Sequence, residues 1–126
     1  PRTEYDWLTR DAKEVDAYIA HPSCGFMATT GLLRDMLTGI QFIERKENLA
    51  KMKKDLPVLF IAGGDDPVGA YGKGVLRAVE EFQKAGMKDV EKRIFPLGRH
   101  EILNEINRQE IYEFTSNWMD RQVEKK

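Results

Sequence analysis

Asp66 and His100 are the two residues whose types and settings point to chemistry. Asp66 follows the apolar run Val58-Leu59-Phe60-Ile61-Ala62 by way of Gly63-Gly64-Asp65, and His100 follows Ile94-Phe95 by way of Pro96-Leu97-Gly98-Arg99. Each closes a segment that reads as a strand. Parallel strands bring their carboxyl ends to one edge of a sheet, where open α/β sheets place ligands and chemistry. A carboxylate there accepts an imidazole N–H, fixes the tautomer and stabilises the imidazolium formed during proton transfer. Taken singly, Asp66 also suits a turn or a helix N-cap, and His100 a loop histidine bonded to backbone. As a strand-end pair they favour acid–base work, with Pro67 holding the acid on a fixed turn.

Other reactive groups are sparse. The one cysteine, Cys24, excludes an internal disulfide and fits a reducing cytoplasm. Its nearest histidine, His21, is three residues away across a proline, which gives no thiol–imidazole geometry. Two histidines and one cysteine show no metal-ligand spacing, so neither metal nor cofactor is expected. The only serines are Ser23, in a turn, and Ser116, on a helix surface pattern. The formal charge is −1 and neither sign forms a long block. That excludes a nucleic-acid surface, and Lys51, Lys53 and Lys54 read as the solvated end of a helix. No apolar run approaches the ~20 residues of a membrane span.

These groups must be positioned by a mixed chain of 126 residues, enough for one domain. Thr3 to Trp7 reads as an extended lead-in. Asp11 and Glu14 have capping-box spacing before a short helix with Val15, Tyr18 and Ile19 on one face, ended by His21-Pro22. Leu32, Leu33, Met36, Leu37, Ile40 and Ile43 recur at helical spacing and predict a helix over 30–44. Its wide apolar stripe is either core packing or the lining of an apolar pocket. A short helical piece over 47–54 precedes the buried strand. Val75, Leu76, Val79 and Phe82 mark a helix over 73–85, stopped by Gly86. Residues 89–95 read as a second strand, 96–100 as a loop, and Ile111, Phe114, Trp118 and Met119 as a last helix over 107–121 with a charged tail.

Strand, helix, strand, helix in this order predicts a right-handed parallel crossover. The unalternating run over 58–62 reads as a strand buried on both faces. Two strands cannot achieve that. Leaving Val58, Leu59, Phe60 and Ile61 uncovered forfeits about 1.5–3 kcal/mol each, roughly 6–12 in all. A domain's whole stability is about 5–15 kcal/mol. The chain therefore calls for more sheet than it contains, supplied by a missing N-terminal half, another chain or a symmetry mate. The first residue is Pro1, with no initiator methionine, which suggests a processed or cut product.

Phe60-Ile61-Ala62-Gly63-Gly64-Asp65-Asp66-Pro67-Val68-Gly69 and Pro96-Leu97-Gly98-Arg99-His100-Glu101 resemble the C-terminal part of the α/β-hydrolase fold. The nearest likeness is to bacterial serine hydrolases related to monoacylglycerol lipases and lysophospholipases, the serine aminopeptidase-like branch. Gly63-x-x-Asp66 matches that family's acid after its seventh strand and thereby favours Asp66 over Asp65. Gly98-Arg99-His100-Glu101, with Leu103-Asn104-Glu105, matches its histidine loop. Tyr5-Asp6-Trp7-Leu8-Thr9-Arg10 and Pro22-Ser23-Cys24-Gly25-Phe26 resemble its cap region.

The resemblance implies residues 1–50 as cap helices and 51–126 as the C-terminal part of the core, an incomplete sheet. It further implies ester hydrolysis of a lipid-like substrate through a serine acyl-enzyme. Asp66 and His100 would be catalytic, with Phe26, Met27, Leu33, Met36 and Leu37 walling an acyl pocket. The Gly-x-Ser-x-Gly elbow that carries the nucleophile is absent. Loss of the serine from such a triad costs on the order of 10⁶ in turnover, so the chain alone is expected to be inactive. A rival expectation is a non-enzymatic interaction module that folds by pairing its open sheet edge with a partner or with itself. A receiver-like domain fits less well, because its acid pair belongs near the start of a five-strand alternation.

Overall fold

The computed structural model describes residues 1–124. Helices α1 (Ala12–Ala20), α2 (Thr30–Glu44) and α3 (Lys46–Leu49) come first. They are followed by β1 (Val58–Gly63), α4 (Lys73–Lys84), β2 (Val90–Phe95), a 3₁₀ turn (Ile102–Asn104) and α5 (Arg108–Glu124). The two strands pair in parallel, Val58 opposite Val90 through Gly63 opposite Phe95. That register sets Asp66 and His100 beyond the same edge, each at the carboxyl end of its strand.

Helices cover both faces. On one, the rings of Phe60 and Phe82 meet edge to face at 5.0 Å, seating α4. On the other, α5 packs Ile111 and Phe114 against Phe95, Ile102 and Ile61, forming the central cluster. Trp118 Nε1 donates to Glu91 at 2.9 Å and pins the far end of α5 to β2. The cluster places the histidine loop, because Phe95 opens it and Ile102 closes it.

Helix ends follow the local chemistry. α4 finishes in a Schellman arrangement: Gly86 takes φ +91°, Gly86 N–H donates to Gln83 and Met87 N–H to Phe82. Thr29 caps α2, its hydroxyl oxygen accepting from Leu32 N–H. Asp11 caps α1 by accepting from Lys13 N–H. The expected return arm of that capping box is supplied differently. Thr9 Oγ1 accepts the Asp11 N–H, and Glu14 pairs with Arg108.

Two expectations are corrected, for the segment 3–7 and for α2. The segment 3–7 is a hydrogen-bonded turn rather than extended, because Thr3 Oγ1 donates to Asp6 and accepts from Tyr5 N–H. Side-chain bonds of this kind compete with extended backbone. The expected shortage of sheet is met: β1 is buried only at Ala62 and Gly63, and Val58 to Ile61 are half-buried, because the sheet of the described residues has two strands. α2 has the bounds its periodicity predicts, yet none of its residues is buried, so it is not a core helix within this chain. The charged tail is helical through Glu124, and its last residues, 125–126, lie outside the described residues.

Candidate active site

The acid arm is built by close backbone approach. Gly63 ends β1 directly beneath the histidine loop, where a methyl in place of its hydrogen would lie 2.1 Å from Gly98 O. Asp65 N–H donates to Gly98 O at 2.8 Å, tying the two loops together. Asp66 is buried while Asp65 is exposed. Its Oδ1 accepts from Val68 N–H at 2.9 Å and its backbone carbonyl from Tyr71 N–H at 2.8 Å. Beyond it Ala70, Tyr71 and Gly72 have φ of 50°, 57° and 82°, a left-handed run that turns the chain sharply into α4. Two of these are not glycine, so the turn stores strain of the sort found beside functional groups.

The base arm leaves β2 through Pro96, Leu97 at φ 61° and Gly98. His100 Nδ1 stands 3.2 Å from both carboxylate oxygens of Asp66. A carboxylate only accepts, so the proton sits on Nδ1 and Nε2 is left as the basic nitrogen. The imidazole is 39% exposed against 10% for the Asp66 side chain. That contrast suits a base that must meet a substrate and an acid that must not. An open groove of about 340 Å³ adjoins the ring, lined by Ile61, Glu101, Ile102, Leu103 and Asn104.

The N-terminal segment holds the histidine loop from outside. His100 N–H donates to Trp7 O at 3.3 Å and Glu101 N–H to Leu8 O at 2.7 Å. The Trp7 ring lies 5.1 Å from the imidazole, tilted by 47°. Arg99 donates from Nη1 to the carbonyls of Asp6 and Thr9. Glu105 is fully buried and accepts from Arg99 N–H and Arg10 N–H at Oε1, and from Arg10 Nε and Ile106 N–H at Oε2. At the segment's start, Asp6 accepts from the Thr3 hydroxyl, which brings its carboxyl down to about 2.

Of the candidate residues, the structure brings Asp66 and His100 together. Phe26, Met27, Leu33, Met36 and Leu37 are exposed, from 44% at Leu33 to 94% at Met27, and do not line the groove beside His100. Ser23 and Ser116 are also exposed, and Ser116 is in the middle of α5. No group of three or more metal-ligating side chains occurs among the described residues. No helix among them is long and apolar enough to cross a membrane. Sequence reasoning named Trp7 and Glu105 only within matched stretches and gave them no task. The available signal was charge complementarity between Arg10 and Glu105 and between Arg108 and the acids Asp11 and Glu14. The partners in each of these pairs lie more than ninety positions apart, where no local pattern connects them.

A parallel crossover with an acid and a histidine at its carboxyl edge is the C-terminal portion of an α/β-hydrolase fold. Solved structures agree. The chain aligns with a highly thermostable carboxyl esterase from Bacillus coagulans at 29% identity and a TM-score of 0.78. With a lipase in its open form the values are 28% and 0.75. These alignments cover 95% and 91% of this chain but 39% and 37% of the esterase and lipase chains. Residues 1–107 match the serine aminopeptidase S33 profile, and the chain belongs to that family. Among curated protein sequences none matches.

Proposed function

We propose that this chain supplies the acid and the base of a serine hydrolase acting on carboxylic esters, Asp66 orienting His100 and His100 serving as general base and then general acid. The observation that carries the reading is the Nδ1–carboxylate pair at two parallel strand ends, with His100 lining the groove. The nucleophilic serine and the oxyanion-hole donors lie outside residues 1–126. In the first step Nε2 takes the serine proton as the oxygen attacks the ester carbonyl. The imidazolium, stabilised by Asp66, then protonates the departing alcohol; water repeats the sequence on the acyl-enzyme.

A lipid monoester or lysophospholipid fits best, with Phe26, Met27 and the α2 residues Leu33, Met36 and Leu37 turned to an acyl chain once the rest of the fold is present. Their exposed apolar surface supports this. The division into a cap region, 1–50, and a core, 51–126, is part of the same proposal, with residues 6–10 as the seam between them. The cytoplasm is the proposed compartment, on the strength of the free Cys24.

The test is made on the full-length gene product containing residues 1–126. A fluorophosphonate probe should label it, and H100A should abolish labelling and ester turnover. D66N should lower turnover by about 10⁴-fold, with the backbone unmoved. Residues 1–126 alone should show neither labelling nor turnover. Full activity in H100A would end the hydrolase reading. The half-buried outer strand β1 supports a second reading, an interaction module. Self-association of residues 1–126, together with a full-length product that no probe labels, would favour it.

A further inference from the structure

Taking Asp66 and His100 as the acid and base of the ester-cleaving site, we propose that Glu105 is the positioning residue of His100, its buried carboxylate locking the histidine loop onto residues 6–10. Asp66 alone under-determines the imidazole. Both of its oxygens lie 3.2 Å from Nδ1, so they fix the tautomer and one point of the ring but leave the direction of Nε2 open to rotation about that point. A second constraint must set that direction, and the loop backbone and the Trp7 ring provide it. Arg99, His100 and Glu101 are each bonded to the 6–9 segment, through Asp6 and Thr9, Trp7, and Leu8 respectively.

Glu105 closes this arrangement from within. It accepts the backbone N–H of Arg99, the residue before His100, and both the backbone and the guanidinium of Arg10 on the opposing segment. A carboxylate with 0% exposure is costly to bury unless every lone pair is used. Here four N–H groups use them, and they come from both sides of the seam. Glu105 touches neither the imidazole nor Asp66. It acts through Arg99 and Arg10 on where Nε2 stands.

The variants E105A, E105Q and R10M in the full-length protein test this. E105A should lower kcat by about 10²-fold, the size expected of a ~1 Å misplacement, with KM nearly unchanged. E105Q should recover part of that loss, because its amide oxygen still accepts the Arg99 N–H. Hydrogen exchange in E105Q should accelerate jointly over 5–10 and 97–104 and stay unchanged over 58–63. Folded variants with kcat within about twofold of the parent would overturn the proposal, as would a rise in KM alone. If the substitutions prevent folding, the unmodified protein decides. Amides of Arg99, His100 and Glu101 exchanging at one slow common rate sustain the lock, and rates typical of a free loop end it. H100A separates the two readings: activity surviving H100A defeats the site assignment, whereas loss in H100A with unaffected Glu105 variants defeats only the positioning role.

Discussion

The histidine loop and helix α2 are built from opposite materials and reach opposite states. The loop is polar and charged, yet Thr9, Asp66, Gly98 and Glu105 around it are buried, because each donor finds an acceptor across the seam. α2 is rich in leucine, isoleucine and methionine, yet no residue along it is buried. Apolar surface is non-directional and waits for any cover of sufficient area. A set of charge-assisted hydrogen bonds accepts one geometry only. The comparison teaches that the histidine loop is held in place by polar bonds, while the apolar face of α2 lacks cover among the described residues.

The largest effect should come from G63A. A methyl 2.1 Å from Gly98 O and 2.3 Å from Arg99 O forces the acid and histidine loops apart. Chemical denaturation should register a loss above about 4 kcal/mol, or no folded protein. I111A, which empties a fully buried position between Phe95 and Ile102, should cost about 2–5 kcal/mol in the same measurement. T9A removes a buried hydroxyl that donates to Asn104 O and accepts from Asp11 N–H; about 1–3 kcal/mol is expected.

By contrast, L37Q on α2 should change the stability of residues 1–126 by less than about 0.5 kcal/mol, since Leu37 is 54% exposed. A cost of several times that would show α2 packed in solution and break the comparison. The same substitution in the full-length product sharpens it by asking whether ester chain-length preference moves.

The smallest effect is set by pH. Asp6 is held down to about 2 in the folded chain, chiefly by the Thr3 hydroxyl, against an ordinary 3.8. Its contribution is therefore fully present above the ordinary value and lost as pH falls from about 4 toward 2. Nuclear magnetic resonance should show the Thr3–Asp6 turn loosening in that window and D6N abolishing the pH dependence.

Legibility in the sequence followed sequence distance. α2 and α4 could be read almost to the residue, because apolar spacing and Gly86 are local signals. The first strand was equally plain, since a short apolar run bounded by proline and glycine has few other uses. The Thr3–Asp6 turn was misread because hydroxyl-to-backbone bonds leave no periodicity. The 3₁₀ turn at Ile102 and the buried state of Glu105 were invisible, because their partners lie on a segment that only the folded chain brings near. The incomplete cover of β1 was legible too: an unalternating strand records the sheet it belongs to, and two strands leave Val58 to Ile61 half-buried.

One consequence concerns synthesis. Arg10 and Glu105 are separated by 95 positions, and the bonds from Arg99, His100 and Glu101 to the 6–9 segment span gaps of similar length. Closing a loop of that length carries an entropic cost that grows as the logarithm of its length and is met before any contact repays it. A ribosome must release α4, β2 and the residues up to Arg108 before Trp7 has anything to hold. Until then Arg10 and Glu105 are ordinary solvated ions and the imidazole has no fixed place. The imidazole therefore gains its fixed place only after both segments have emerged from the ribosome.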